Sequence, residues 1–99
     1  MIISGGFNVF PVDIEAVVGG HPDVLDVTVI GLPHEKWGES AFAFVIPRGQ
    51  ADPDAILEWS NARLAKTQRL AGVALRQEFP RNALGKVMKR LLREEAVGA

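Results

Sequence analysis

Apolar and polar positions change their spacing several times along this chain, and each change marks a predicted element. From Met1 to Ser4 the chain is apolar and extended, with none of the polar residues usual at a frayed natural terminus, which suggests a domain taken from a longer polypeptide. Gly5-Gly6 then makes a flexible turn. Pro11 suits the first position of a helix, and Asp13 and Glu15 put negative charge in the first turn, where the helix dipole favours it. Ile14, Val17 and Val18 recur at i, i+3, i+4 and supply a buried stripe, and Gly19-Gly20 ends the helix.

The period then drops to two. Over Val24 to Ile30, Leu25, Val27 and Val29 alternate with Asp26 and Thr28, predicting a strand with one solvated face. Gly31-Leu32-Pro33-His34 turns the chain. Ser40 to Ile46 is almost wholly apolar, which predicts a strand covered on both faces. Pro47-Arg48-Gly49 closes it. Asp52-Pro53 reads as an N-cap with Pro at the first helical position, and Ile56, Leu57, Ser60 and Leu64 carry a helical stripe to about Lys66. Val73, Leu75 and Phe79 alternate with Ala74, Arg76 and Glu78 as a third strand. Beyond a loop at 80–86, Val87, Met88, Leu91 and Leu92 give the apolar side of a last helix, with Lys89, Arg90 and Arg93 on its wet side.

The order α-β-β-α-β-α, without repeats, predicts one α+β domain over residues 1–99: a small three-stranded mixed sheet with three packed helices. The first two strands form a connected antiparallel pair. The third arrives through a helix and is expected parallel to its neighbour.

Composition narrows the chemistry. The 99 residues are 47% apolar and 23% charged, enough for a real core. With no cysteine there is no disulfide or thiol chemistry, and two histidines far from any carboxylate cluster give no metal site. No apolar run reaches the ~18 residues of a membrane span. No secretion signal is recognisable, and a cytoplasmic setting is expected. The net charge of −1 conceals an asymmetry, since residues 1–60 hold nine acids and two bases whereas 61–99 hold nine bases and three acids. Such a basic half suits an anionic partner, a nucleic acid or a phosphorylated small molecule, or simply solvated helix faces.

The stretch with most chemical content is Phe79-Pro80-Arg81-Asn82-Ala83-Leu84-Gly85-Lys86-Val87-Met88-Lys89-Arg90. Gly85 permits a positive φ, and the lysine beside it carries an ammonium on a flexible tether. Taken by itself, the pair reads as a plain surface turn with an ordinary lysine.

Together with Ile2-Ile3-Ser4-Gly5-Gly6-Phe7-Asn8-Val9-Phe10-Pro11, closed by Ile14-Glu15, this stretch resembles the C-terminal domain of the adenylate-forming enzymes, specifically the AMP-forming acyl-CoA synthetases. His21-Pro22-Asp23-Val24 and Gly31-Leu32-Pro33-His34-Glu35-Lys36-Trp37-Gly38-Glu39 match the same family between them. The resemblance spans the chain in order and is closest in type to ligases for long- or medium-chain fatty acids or dicarboxylic acids. It implies a mobile lid domain of an ATP-dependent acid–thiol ligase in fatty-acid metabolism. The large N-terminal domain that binds ATP and the acid would be its partner, and the lid alone would be inactive in the full reaction.

In that family a carboxylate attacks the α-phosphate of ATP, releasing pyrophosphate and leaving an acyl-adenylate, from which the thiol of coenzyme A then displaces AMP. The resemblance gives Lys86 the adenylation role, holding two repelling anions in line. It makes Ser4, Gly5 and Gly6 part of the wall of the pantetheine tunnel, with Gly85, Arg81 and Asn82 supporting the lysine loop. ATP, with its Mg2+ held mainly by the other domain, and coenzyme A are the implied substrates. No metal, nucleic acid or membrane span is assigned to this chain. Lys89, Arg90 and Arg93 either face coenzyme A phosphates or are a solvated helix side. Trp37-Gly38-Glu39 fixes a turn, and His34 carries no chemistry. The chain departs from the family pattern at Phe7, where Glu is common after the paired glycines, and at Thr67-Gln68-Arg69-Leu70-Ala71, which replaces a usual Lys-x-Pro. Two other readings stay open, a small nucleic-acid-binding module using the basic half and a stand-alone protein-interaction module.

Overall fold

The computed structural model describes residues 2–4, 6–34 and 38–98. Its elements are β1 (Ile2–Ser4), β2 (Phe7–Val9), α1 (Pro11–Val18), β3 (Val24–His34), β4 (Gly38–Pro47), α2 (Pro53–Asn61), β5 (Leu70–Leu75) and α3 (Lys89–Gly98). The expected order of helices and main strands, and the mixed sheet, are all present. The structure adds β1 and β2, a short antiparallel hairpin in register Ile2 with Val9 and Ser4 with Phe7.

The apolar strand β4 is the spine. β3 runs antiparallel along it from Val24 opposite Pro47 to His34 opposite Gly38. On its other side β5 pairs in parallel over Ala41–Val45, and β1 joins antiparallel at Ser4 and Gly38. The arrival of this strand through a crossover helix made the parallel pairing the expected one.

Both faces of β4 are covered, as its unbroken apolar run required. On one face Ala41, Ala43 and Val45 meet Ile14 and Val18 of α1 and Ile56 of α2. On the other, Phe44 packs with Ile30, Phe79 and Leu92 of α3. The second layer corrects the expectation that β3 has a solvated face: Thr28, predicted on the wet side, is 2% exposed. A bulge also interrupts the predicted alternation, for Val24 pairs with Pro47 but Asp26 already with Ile46. The extra residue, Leu25, is extruded and 59% exposed, and Val24 takes its place beside Val29 in the core.

Other boundaries differ as well: Gly31-Leu32-Pro33-His34, expected to turn the chain, instead continues β3 to His34. α2 starts as predicted, with Asp52 accepting from the Asp54 amide at 3.0 Å, but it ends at Asn61 rather than near Lys66. There the Asn61 side chain accepts from the Leu70 amide at 2.8 Å and donates to the Leu70 carbonyl at 3.1 Å. That two-way pairing, together with a short 3-10 turn at Lys66–Gln68, links α2 to β5. β5 stops at Leu75, and Phe79 leaves the sheet to insert its ring beside Leu92. Val87 and Met88 precede α3 instead of forming its first turn. Gly72 faces the Phe42 ring so closely that a Cβ there would lie 2.7 Å from the ring edge.

Candidate functional site

Lys86 lies in a small loop whose sides are joined by backbone hydrogen bonds. The Met88 amide donates to the Pro80 carbonyl at 2.7 Å, and the Asn82 amide to the Lys86 carbonyl at 3.0 Å. The tip turns through Gly85 at φ 83°, a left-handed conformation that glycine adopts without strain. A Cβ on Gly85 would meet nothing within 4 Å, so the requirement is for backbone angle and not for space.

Side chains fasten this tip. Asn82 Oδ1 accepts from the amides of Leu84 at 2.9 Å and Lys86 at 3.1 Å. The Arg81 guanidinium donates to the Gly85 carbonyl at 2.9 Å and to Asp26 Oδ2 at 3.1 Å, reaching from the loop to β3. Arg81, Asn82, Gly85 and Lys86 are thereby brought together. The Lys86 side chain is exposed, and among the described residues its ammonium has no hydrogen-bond or ion-pair partner within the chain. Leu84 beside it is 92% exposed.

The glycine segment lies elsewhere. Ser4 closes the β1–β2 hairpin opposite Phe7 and also pairs with Gly38 at the start of β4. Gly6 turns the hairpin at φ 82° with nothing within 4 Å of a built Cβ. Gly5 and Trp37, both singled out in the sequence, lie outside the described residues, as do the side chains of Ser4 and His34. Glu39 holds the hairpin to the sheet by accepting from the Ile3 amide at 3.1 Å.

The two motifs occupy opposite ends of the same pair of strands. The lysine loop is tied to Asp26 near the start of β3, whereas Ser4 meets Gly38, which faces His34 at its finish. At about 3.3 Å per residue, the run from Asp26 to His34 measures on the order of 25 Å.

Three of the nine bases in the basic half of the chain are answered by acids within 3.1 Å among the described residues. Arg76 pairs with Glu95 at 2.7 Å, Arg81 with Asp26 at 3.1 Å, and Lys89 with Glu15 at 3.0 Å. Two of these partners belong to the acidic half. Lys89, expected on the wet side of the last helix, instead crosses to α1, where the same Glu15 oxygen accepts from the Val29 amide at 2.8 Å. Arg90 and Arg93 remain exposed on α3. Phe44 and Phe79 are in the core and Phe42 is half-buried beside them, which removes those rings as a platform for stacking bases. Among the described residues no group of three or more His, Asp or Glu is arranged to hold a metal. No helix among them is long and apolar enough to cross a membrane.

Sequence reasoning named the loop and its glycine but missed Asp26 and the use of Glu15. Asp26 looked like one more solvent-facing position on an alternating strand. Its partner is 55 residues away, a separation no local pattern reports.

Comparison with known proteins adds a consistent set of likenesses. The profile described as "AMP-binding enzyme C-terminal domain" matches residues 13–86. A long-chain-fatty-acid–CoA ligase of Mycobacterium tuberculosis, FadD13, is 46% identical over 96 residues, covering 96% of this chain and 19% of the relative. A 2-succinylbenzoate–CoA ligase of Bacillus cereus is 38% identical over 94 residues, or 95% of this chain and 20% of the relative. Among solved structures, a fatty acyl CoA synthetase of Mycobacterium tuberculosis superposes with a TM-score of 0.88 at 44% identity, over 99% of this chain and 20% of that one. ATP-bound MatB of Rhodopseudomonas palustris gives 0.87 at 38%, over 94% and 19%. The chain thus spans about a fifth of the length of the relatives it matches.

Proposed function

Because the chain belongs to the family of AMP-binding enzyme C-terminal domains, we propose that it is the mobile lid of an ATP-dependent acyl-CoA ligase. In this reading Lys86 serves adenylate formation, and the Ser4-Gly5-Gly6 segment lines the passage for the pantetheine arm of coenzyme A. The partner is a larger N-terminal domain that holds ATP, its Mg2+ and the acid.

The observation that carries the reading is the state of Lys86: an exposed ammonium, without an internal partner among the described residues, on a tip whose backbone is fastened by side chains. Adenylation brings a carboxylate against a phosphate, and both are anions. A fixed positive charge reaching both offsets their repulsion and stabilises the charge that spreads over the phosphorus oxygens as the new bond forms. The ammonium of lysine is compact and can bridge two ligands of different shape, whereas the planar fork of arginine has another reach. The opposite placement of the glycine hairpin supports a second role at the other end. A domain that serves two half-reactions in turn needs two working ends, and a rotation can present them alternately.

The test is Lys86→Ala in the full-length ligase, followed by pyrophosphate release without coenzyme A. Loss of one such electrostatic group is expected to slow adenylation by about 10²–10³-fold. Transfer of a supplied acyl-adenylate to coenzyme A should change little. Adenylation at the full rate would sink the assignment. The fatty acid and 2-succinylbenzoate named for the relatives are the first acids to try, as substrate candidates for the whole enzyme.

A further inference from the structure

Resting on that adenylation reading, the geometry points to Asp26 as a positioning residue for Lys86, acting from β3 through Arg81 on the peptide that carries the lysine. The Gly85 carbonyl and the Lys86 amide belong to one rigid peptide plane. Its oxygen accepts from Arg81 at 2.9 Å, and its N–H donates to Asn82 at 3.1 Å. Both edges of the plane are therefore held, which sets the direction in which the lysine side chain leaves the backbone. Asn82 belongs to the loop itself and moves with it. Arg81 refers the plane to the sheet, and it does so through Asp26.

By simple alternation Asp26 shares a face with Thr28 and Ile30, the face against which Phe79 and Leu92 pack, and the bulge at Leu25 breaks the pattern only at the residue before it. Both carboxylate oxygens of Asp26 are engaged, Oδ1 by the Val27 amide at 2.8 Å and Oδ2 by Arg81. The first contact fixes the carboxylate, so that the second can fix the guanidinium. The pair is half-exposed, with side chains 44% and 47% accessible. Such surface pairs contribute little to stability, so its main effect is geometric. The planar fork matters here, because a lysine in place of Arg81 could not span both acceptors in fixed directions.

The experiment uses the full-length ligase and measures the two half-reactions separately. Asp26→Asn keeps an oxygen for the Val27 amide but turns a donor toward Arg81. Adenylation is expected to fall roughly ten- to hundredfold in kcat, the scale of an ångström misplacement. KM for ATP and acid, and thioester formation from supplied acyl-adenylate, should stay near wild type. Arg81→Lys should show the same selective loss, and Asp26→Glu should recover part of the rate. Wild-type adenylation in both Asp26→Asn and Arg81→Lys would overturn the assignment, as would an equal fall in both half-reactions. Lys86→Ala in the same assays separates the claims. If it adenylates normally, the reading of the site fails. If it is impaired while Asp26→Asn is not, only the role of Asp26 fails.

Discussion

The two tips of this domain look alike and are built by different means. Each turns on a glycine at nearly the same positive φ, 82° at Gly6 and 83° at Gly85, with open space where a side chain would stand. The β1–β2 tip is closed by a strand ladder and tied to the sheet by Glu39. The lysine tip has a minimal ladder and is fastened by Asn82 and Arg81. The difference suits the two roles proposed above: a bare passage would need only backbone held clear, whereas a charged group at the end of a long side chain would need its attachment point oriented as well as placed.

The sharpest way to break this comparison is to cross the two half-reactions. Against the Lys86→Ala loss of adenylation, Gly6→Val puts a β-branched residue at positive φ. It should slow thioester formation by about tenfold or more, consistent with strain of about 1–3 kcal/mol at the wall of the passage, and spare adenylation. If both variants impair the same half-reaction, the two ends are not functionally distinct. Next in size is Leu92→Ala, fully buried under the lysine loop. It should destabilise the domain by about 2–5 kcal/mol in denaturant unfolding, with the α3 face loosening before the face under α1 and α2. Asn82→Ala removes the acceptor for two amides and should cost about 1 kcal/mol in thermal unfolding, with adenylation falling more than stability suggests. The smallest effect sharpens the likeness. Gly6→Ala and Gly85→Ala should each cost about 1–2 kcal/mol, equal within error, because only the φ angle is at stake.

Much of this was readable beforehand. The unbroken apolar run of β4 announced a strand covered on both sides, and Asp52-Pro53 announced the start of α2, because these are local signals read over a few residues. Errors arose where a distant contact decided the outcome. Thr28 looked solvent-facing until α3, more than sixty residues on, covered it. Phe79 fitted the alternation of a strand, yet its ring is drawn to Leu92 instead. Leu25 fitted a perfect alternation that a single inserted residue breaks. At the candidate site, the positive φ of Gly85 was legible from turn chemistry. The reach of Arg81 to Asp26 was not, and neither was the passage of Lys89 to Glu15, since each joins segments that only the finished fold brings near.

The bond from Glu15 to Val29 also bears on how the sheet is kept from growing. β3 forms the rim of the sheet, and an unoccupied rim invites a foreign strand to continue the ladder. Here a carboxylate already sits on the Val29 amide, and an ammonium from α3 sits on that carboxylate. An intruding chain would have to evict both charges before making its first hydrogen bond there. The domain thus guards this border with its own side chains, and the protection does not depend on a neighbour covering it.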